Sequence, residues 1–503
     1  MIIVGSTSLP AAEPVRREFP VTSHGATPDD AAPDTAAIQA AIDACSAAGG
    51  GTVRVPKGRF LVGGLRLKDK VHLRFEAGAV LEGSANPADY GSGTAWNDAI
   101  LHGENLNGVC IEGPGVVNGV DCRNPKGEEG FRGPHAIFLT NCRDVVIEGI
   151  TITRAANYAM LLRDCTGARI EKVVVRGGHD GVHAQACQRF AIRDCDFRTG
   201  DDSIAGCDNQ DFEITGCKIN SSCNGFRFGC FNLLVKKCHL WGPGEFQHRI
   251  SNRTNMLAAF VHFAPKDRNP KLPSDHWVIE DVSIENADVV YGYDFERGLW
   301  QTGQPAKRIR FHNVKATGIE MPLRVLGDGA RSFVLTMEDV TIAMREGSSD
   351  QELLKLTRFG SLTLKNVTLQ NNGKQPVLRA KEGNRVTLER VTCVPTNRAP
   401  FAIEAVQATD LPKLPDPARG RIAPPSNAVA AFGPPRRSPR CHCLEPGVSR
   451  LPGRMMPLRA ICDKPVLDLA RASRNPKKGT PQRYDQDPSS EIHKPDICKL
   501  QKR

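Results

Sequence analysis

Aromatic residues are scarce, at 6% of 503, and no apolar run approaches the roughly 20 residues of a membrane-spanning helix. No membrane partner is therefore expected. After residue 50 no helix-length segment separates the strand-like ones, which argues against βαβ units. No CxxC pair with zinc spacing occurs among the 12 cysteines from Cys45 to Cys238. Those cysteines read as small buried residues rather than as a metal centre or a disulfide frame. A basic body is also missing. The net charge is +10, but 16 Lys/Arg against 7 Asp/Glu fall from Ala431 onward, leaving about +1 for the rest. Nucleic-acid binding loses its best argument. The start, MIIVGSTSLPAAEP, has no basic n-region of a complete signal peptide. Residues 1–20 read as an N-terminal segment, a signal remnant or an untethered end.

What is present is a period. Cys142, Cys165 and Cys187 lie 23 and 22 residues apart, followed by Asn209 and Cys230. Val145, Ala168, Phe190, Phe212 and Leu233 keep the same register, as do Ile147, Ile170, Ile192, Ile214 and Val235. Ile150, Val173, Cys195, Cys217 and Cys238 form a fourth column. Within each repeat apolar residues alternate, as in FAIRDC, between glycine and Asx turns. A unit this short buries its apolar face only by stacking on its neighbours. The expected fold is all-β: a single-stranded right-handed parallel β-helix spanning residues 21–400, with coils about 4.8 Å apart. The segment 34–50, DTAAIQAAIDACSAAGG, is the one clear helix, with Asp34 as its cap, and is expected to close the apolar end of the stack. Residues 401–503 read as a proline-rich linker and a basic, disordered tail with no part in activity.

Asp201 and Asp202, in RTGDDSIAG, are placed by the same period. Asp180 precedes Asp202 by 22 residues, so the two occupy equivalent places on adjacent coils, about 5 Å apart. Asp201 lies beside them. Ordinary turn chemistry explains a lone Asp-Asp after glycine. Three converging carboxylates raise one another's pKa, which suits a pair of acid and base acting on a glycosidic bond. His179, His183, Arg227 and His248 are the polar neighbours expected around them. Calcium competes as a partner for clustered carboxylates, but no ligand loop repeats. Neither a metal nor another cofactor is expected.

With these residues in view, the chain resembles the polygalacturonase-type glycoside hydrolases of family 28, from SHGATPDD (23–30) to about residue 395. The family's Asn-Thr-Asp element stands here as Gly178-His179-Asp180, and its Asp-Asp element as Gly200-Asp201-Asp202. The resemblance implies Asp201 as general acid, with Asp180 and Asp202 holding the water of an inverting hydrolysis. Two elements depart from the pattern. Cys223-Asn224-Gly225 replaces Gly-His-Gly, making Asn224 a candidate substrate contact, and no Arg-Ile-Lys triplet follows. Arg227 or Arg249 is then the candidate cation for a uronate carboxylate. The segment 242–265 reads as a lip of the sugar groove, and Tyr291 as a residue at the cleft. The expected activity is cleavage of an acidic, galacturonan- or rhamnogalacturonan-like polysaccharide by a secreted or periplasmic monomer. A β-helix polysaccharide lyase and a non-catalytic glycan-binding β-helix are the alternatives.

Overall fold

The computed structural model describes residues 17–409 apart from 92–95, 297–302, 349 and 398. The part of the tail from residue 410 onward lies outside the described residues, as does most of the N-terminal segment. Among the described residues 34 strands form one continuous system of parallel pairings. Each coil contributes strands that pair with the corresponding strands one coil on, so the chain winds a right-handed β-helix. The coil extends past both expected limits, from Glu18–Pro20 at one end to Gln407–Thr409 at the other.

The columns read from the sequence are the rungs of the interior. Val145, Ala168, Phe190, Phe212 and Leu233 pair in turn across five coils. All five are buried, as are the isoleucines two residues on. Stacking identical places of a repeat buries both neighbours at once, at about 1.5–3 kcal/mol for each large apolar side chain. The buried cysteines are thiols, and those at the turns point their sulfur at a carbonyl two residues back, as Cys195 does to Arg193 and Cys217 to Thr215. Asn209 interrupts the cysteine column. Its side chain accepts from the Cys187 N–H and donates to the Ala184 and Gly229 carbonyls, so it bonds the coils on either side.

Helix Thr35–Ala47 buries Ile38, Ala41, Ile42 and Cys45 against the first coils, closing that end as terminal repeats require. Asp34 occupies the N-cap position, but its side chain does not cap the helix. The carboxylate instead accepts the Thr27 N–H at 2.8 Å, tying the helix to the preceding turn.

Candidate active site

Asp180, Asp202 and Asn224 sit at the same corner of three successive coils. The Gly181 N–H donates to the Asp202 carbonyl and the Ser203 N–H to the Asn224 carbonyl, so the backbone ladder itself stacks the three side chains. Asp201 projects beside them. An oxygen from each of Asp180, Asp201 and Asp202 lies within 4.8 Å of the other two. Asp180 and Asp202 are each 1% exposed, whereas the Asp201 side chain keeps 14% of its surface. Asp201 is the carboxylate that faces the outside.

Each acid has a different set of partners. Asp202 accepts from Asn224 Nδ2 at 2.7 Å and from Arg227 Nε, and the Arg227 guanidinium lies 4.2 Å over the Phe263 ring. Asp180 Oδ2 lies 2.7 Å from His183 Nδ1. Arg268 Nη1 is 3.1 Å from the other ring nitrogen of His183. A guanidinium only donates, so Nε2 is the acceptor, and Nδ1 carries the proton and donates it to Asp180. Burial, with Arg268 and Arg227 nearby, holds His183 neutral. The second oxygen of Asp180 is buried without a hydrogen-bond partner. Burial first, then the charges of Asp201 and Asp202, push the Asp180 carboxyl well above the usual range. A proton on that oxygen would relieve both costs.

Asp201 is shifted the other way. Burial favours its protonation, but the His248 ring, Arg132 and His179 outweigh it and hold the carboxyl well below the usual range. His248 Nε2 and Arg132 Nη2 each stand 3.6 Å from an Asp201 oxygen. His248 Nδ1 accepts the Ser251 N–H at 3.1 Å, which leaves the proton on Nε2, toward Asp201.

Two inserts, 119–134 and 242–255, bring Arg132 and His248 in. Phe131 stacks on His179 with centroids 5.7 Å apart, and Arg132 donates to Asn157 while lying over Tyr158. From the other insert Phe246 packs on Gly177, where an added Cβ would meet the ring at 3.3 Å. A Cβ on Gly200 would stand 2.8 Å from the Gln247 carbonyl. These glycines let the second insert lie directly across the turns that carry the acids. Arg249 joins the two inserts by pairing with Asp121, which also accepts from Arg154 at 2.8 Å.

The predicted cluster of His179, Asp180, His183, Asp201, Asp202, Asn224, Arg227 and His248 is thus one site. Two expectations are corrected. Tyr291 is not at the cleft: it is fully buried, in register with Phe260, the rung after Val182, Ile204 and Phe226 in an interior column. Arg249 pairs with Asp121, so its charge serves the joined inserts rather than an open carboxylate site. Arg227 likewise is spent on Asp202. Sequence reasoning missed Arg132, Asn157, Tyr158, Phe263 and Arg268. Arg132 and Arg268 lie in inserts that break the period, which is why no phasing could place them.

The carboxylate trio has the donor chemistry for a hard cation. However, Arg132 and Arg227 already stand where such an ion would neutralise it, so the surroundings do not fit a dication well. The arrangement instead offers three acids in contact, with Asp180 shifted upward and Asp201 downward, so that their proton equilibria are linked.

Residues 45–228 match the profile of Glycosyl hydrolases family 28. A polygalacturonase of Juniperus ashei is 26% identical over 150 residues, covering 27% of this chain and 29% of the relative. A polygalacturonase of Ralstonia solanacearum is 36% identical over 115 residues, covering 20% of this chain and 21% of the relative. The chain therefore matches less than a third of the length of these curated relatives. The family 28 exopolygalacturonase structure of Yersinia enterocolitica aligns over 78% of this chain and 77% of its own, with a TM-score of 0.50 and 15% identity, a likeness of fold. Residues 45–228 are thus similar to Glycosyl hydrolases family 28, and the coil that carries them is a right-handed parallel β-helix.

Proposed function

We propose that the protein is a glycosidase that hydrolyses an acidic, pectin-type polysaccharide, of galacturonan or rhamnogalacturonan character. The observation that carries this reading is the trio Asp180, Asp201 and Asp202, packed within 4.8 Å, with Asp180 shifted upward and Asp201 downward. Glycoside hydrolysis needs one carboxyl that gives a proton and one that activates water. In the resting site the shared proton lies on Asp180. Asp201 alone reaches the surface, and is the group to deliver a proton to the leaving oxygen. A substrate that draws Arg132 or His248 away from Asp201 moves the shared proton to it, and leaves Asp180 and Asp202 to hold the water.

The outcome implied by this division of labour is inversion. Inverting pairs usually stand about 6.5–9.5 Å apart, farther than these oxygens. The water must then sit against Asp180 and Asp202 together rather than across a wide gap. Lys266, on the turn Lys266–Arg268 whose Arg268 reaches His183, is the candidate positive charge for a uronate carboxylate in place of the missing triplet. A cell-wall polymer as substrate supports a place outside the cytoplasm, and a single coil acting as a monomer completes the proposal.

The test is incubation of the purified chain and D201N with defined galacturonan and rhamnogalacturonan oligosaccharides, read by mass spectrometry. Fragments summing to substrate plus one water, missing with D201N, are expected. Unsaturated fragments would reassign the protein to the lyases, and intact substrate with tight binding would make it a glycan-binding β-helix.

A further inference from the structure

A second cluster lies on a different strand column from the carboxylates. Strand Val71–Phe75 pairs with Cys110–Glu112, setting His72 opposite Cys110 and Arg74 opposite Glu112. Leu73 and Ile111 fill the interior between them, so by alternation His72, Cys110 and Glu112 lie on the outer side of the sheet, with Cys110 buried between the half-buried His72 and Glu112. This distinguishes Cys110 from the turn cysteines, whose thiols lie inside against backbone carbonyls. The Cys110 Sγ is 3.5 Å from Glu112 Oε2. A His72 ring nitrogen, that sulfur and a Glu112 oxygen all lie within 4.8 Å of one another.

We infer that His72, Cys110 and Glu112 form a binding site for a borderline-soft divalent transition-metal ion of the zinc class, with its fourth position open to water. Zinc sits about 2.3 Å from thiolate sulfur and about 2.0 Å from carboxylate oxygen. At a tetrahedral angle those bonds separate the two donors by about 3.5 Å, the spacing found here. A thiolate and a carboxylate balance the two charges of the ion, with His72 neutral. The sulfur selects against magnesium and calcium. Two of the three ligands are fixed by cross-strand register, so little ordering remains to be done on binding. A cleft of about 550 Å³, lined by Arg74, Glu76, Glu112, Glu148 and Lys172 among others, opens beside Glu112. Binding displaces the Cys110 proton and joins two early coils of the stack.

The experiment uses the full chain, reduced and stripped with chelator, titrated with Zn2+ and then Co2+ beside C110S and H72A. The tail cysteines Cys441, Cys443, Cys462 and Cys498 are common to all three proteins and cancel in the comparison. The expected result is one zinc equivalent fewer in C110S, with weaker thiolate-to-cobalt charge-transfer absorption. H72A should bind that equivalent at least tenfold more weakly, and its thermal stability without metal should match the wild type. Equal stoichiometry in wild type and C110S overturns the site. A loss in C110S without any weakening in H72A overturns it too, since a lone thiol would then be the binder.

Discussion

Arg249 bonds Asp121 across 128 residues of sequence. The pair joins the insert that carries Arg132 to the insert that carries His248, and those two residues flank Asp201 from opposite sides. Asp201 is therefore held by a clasp rather than by its own turn alone. Replacing Arg249 with alanine should loosen Arg132 and His248 and let the trio keep its shared proton to higher pH. The alkaline limb of kcat/KM is expected to move upward in R249A. An unchanged profile would mean that the inserts hold their places without the pair.

Asp180 gives a prediction on stability. Its folded-state pKa is raised, so the folded protein binds a proton more tightly than the unfolded chain. The stabilising effect of that proton is fully present below the unfolded value of about 3.9. It is lost as pH rises through the folded value. D180N is neutral without taking up a proton on folding, and keeps an oxygen to accept from His183. At neutral pH it should stabilise the fold by about 1 kcal/mol, a Tm gain of about 2 °C, and abolish turnover. The gain should vanish at about pH 4, near the unfolded value. A Tm loss at neutral pH would contradict the assignment.

Arg268 fixes the tautomer of His183 and keeps it neutral. Without that guanidinium, His183 should take up a proton at higher pH, placing a cation against Asp180. The acid limb of kcat/KM in R268A is expected to move to higher pH. A simple loss of loop structure would lower activity at every pH without shifting the limb.

Tyr291 separates interior from site. Its hydroxyl is buried without a hydrogen-bond partner, which costs about 1–3 kcal/mol. Y291F should leave activity unchanged and raise stability by about 1 kcal/mol, measured by denaturant unfolding. A large activity loss would return the residue to the cleft.

The contrast between Asp180 and Tyr291 marks how much the sequence discloses. Asp180 and Asp202 were placed by a 22-residue spacing, because stacking turns equal sequence intervals into spatial contact. The interior columns follow from the same rule. Tyr291 was assigned from a short likeness, where the period had slipped past two inserts, and its true partner is the interior rung Phe260. Arg132 and Arg268 were invisible for the same reason: an insert has no phase. Nor does the sequence reveal which acid holds the proton. That depends on guanidinium positions the repeat does not encode.

The proposed acid–base division rests on a proton that the three carboxylates share and Asp180 holds. Infrared difference spectroscopy of the purified protein tests it most directly, through the C=O stretch of a protonated carboxylic acid at neutral pH. One such band is expected in the wild type, missing from D180N and retained in D201N. No band at neutral pH, or a band that survives D180N, would contradict it.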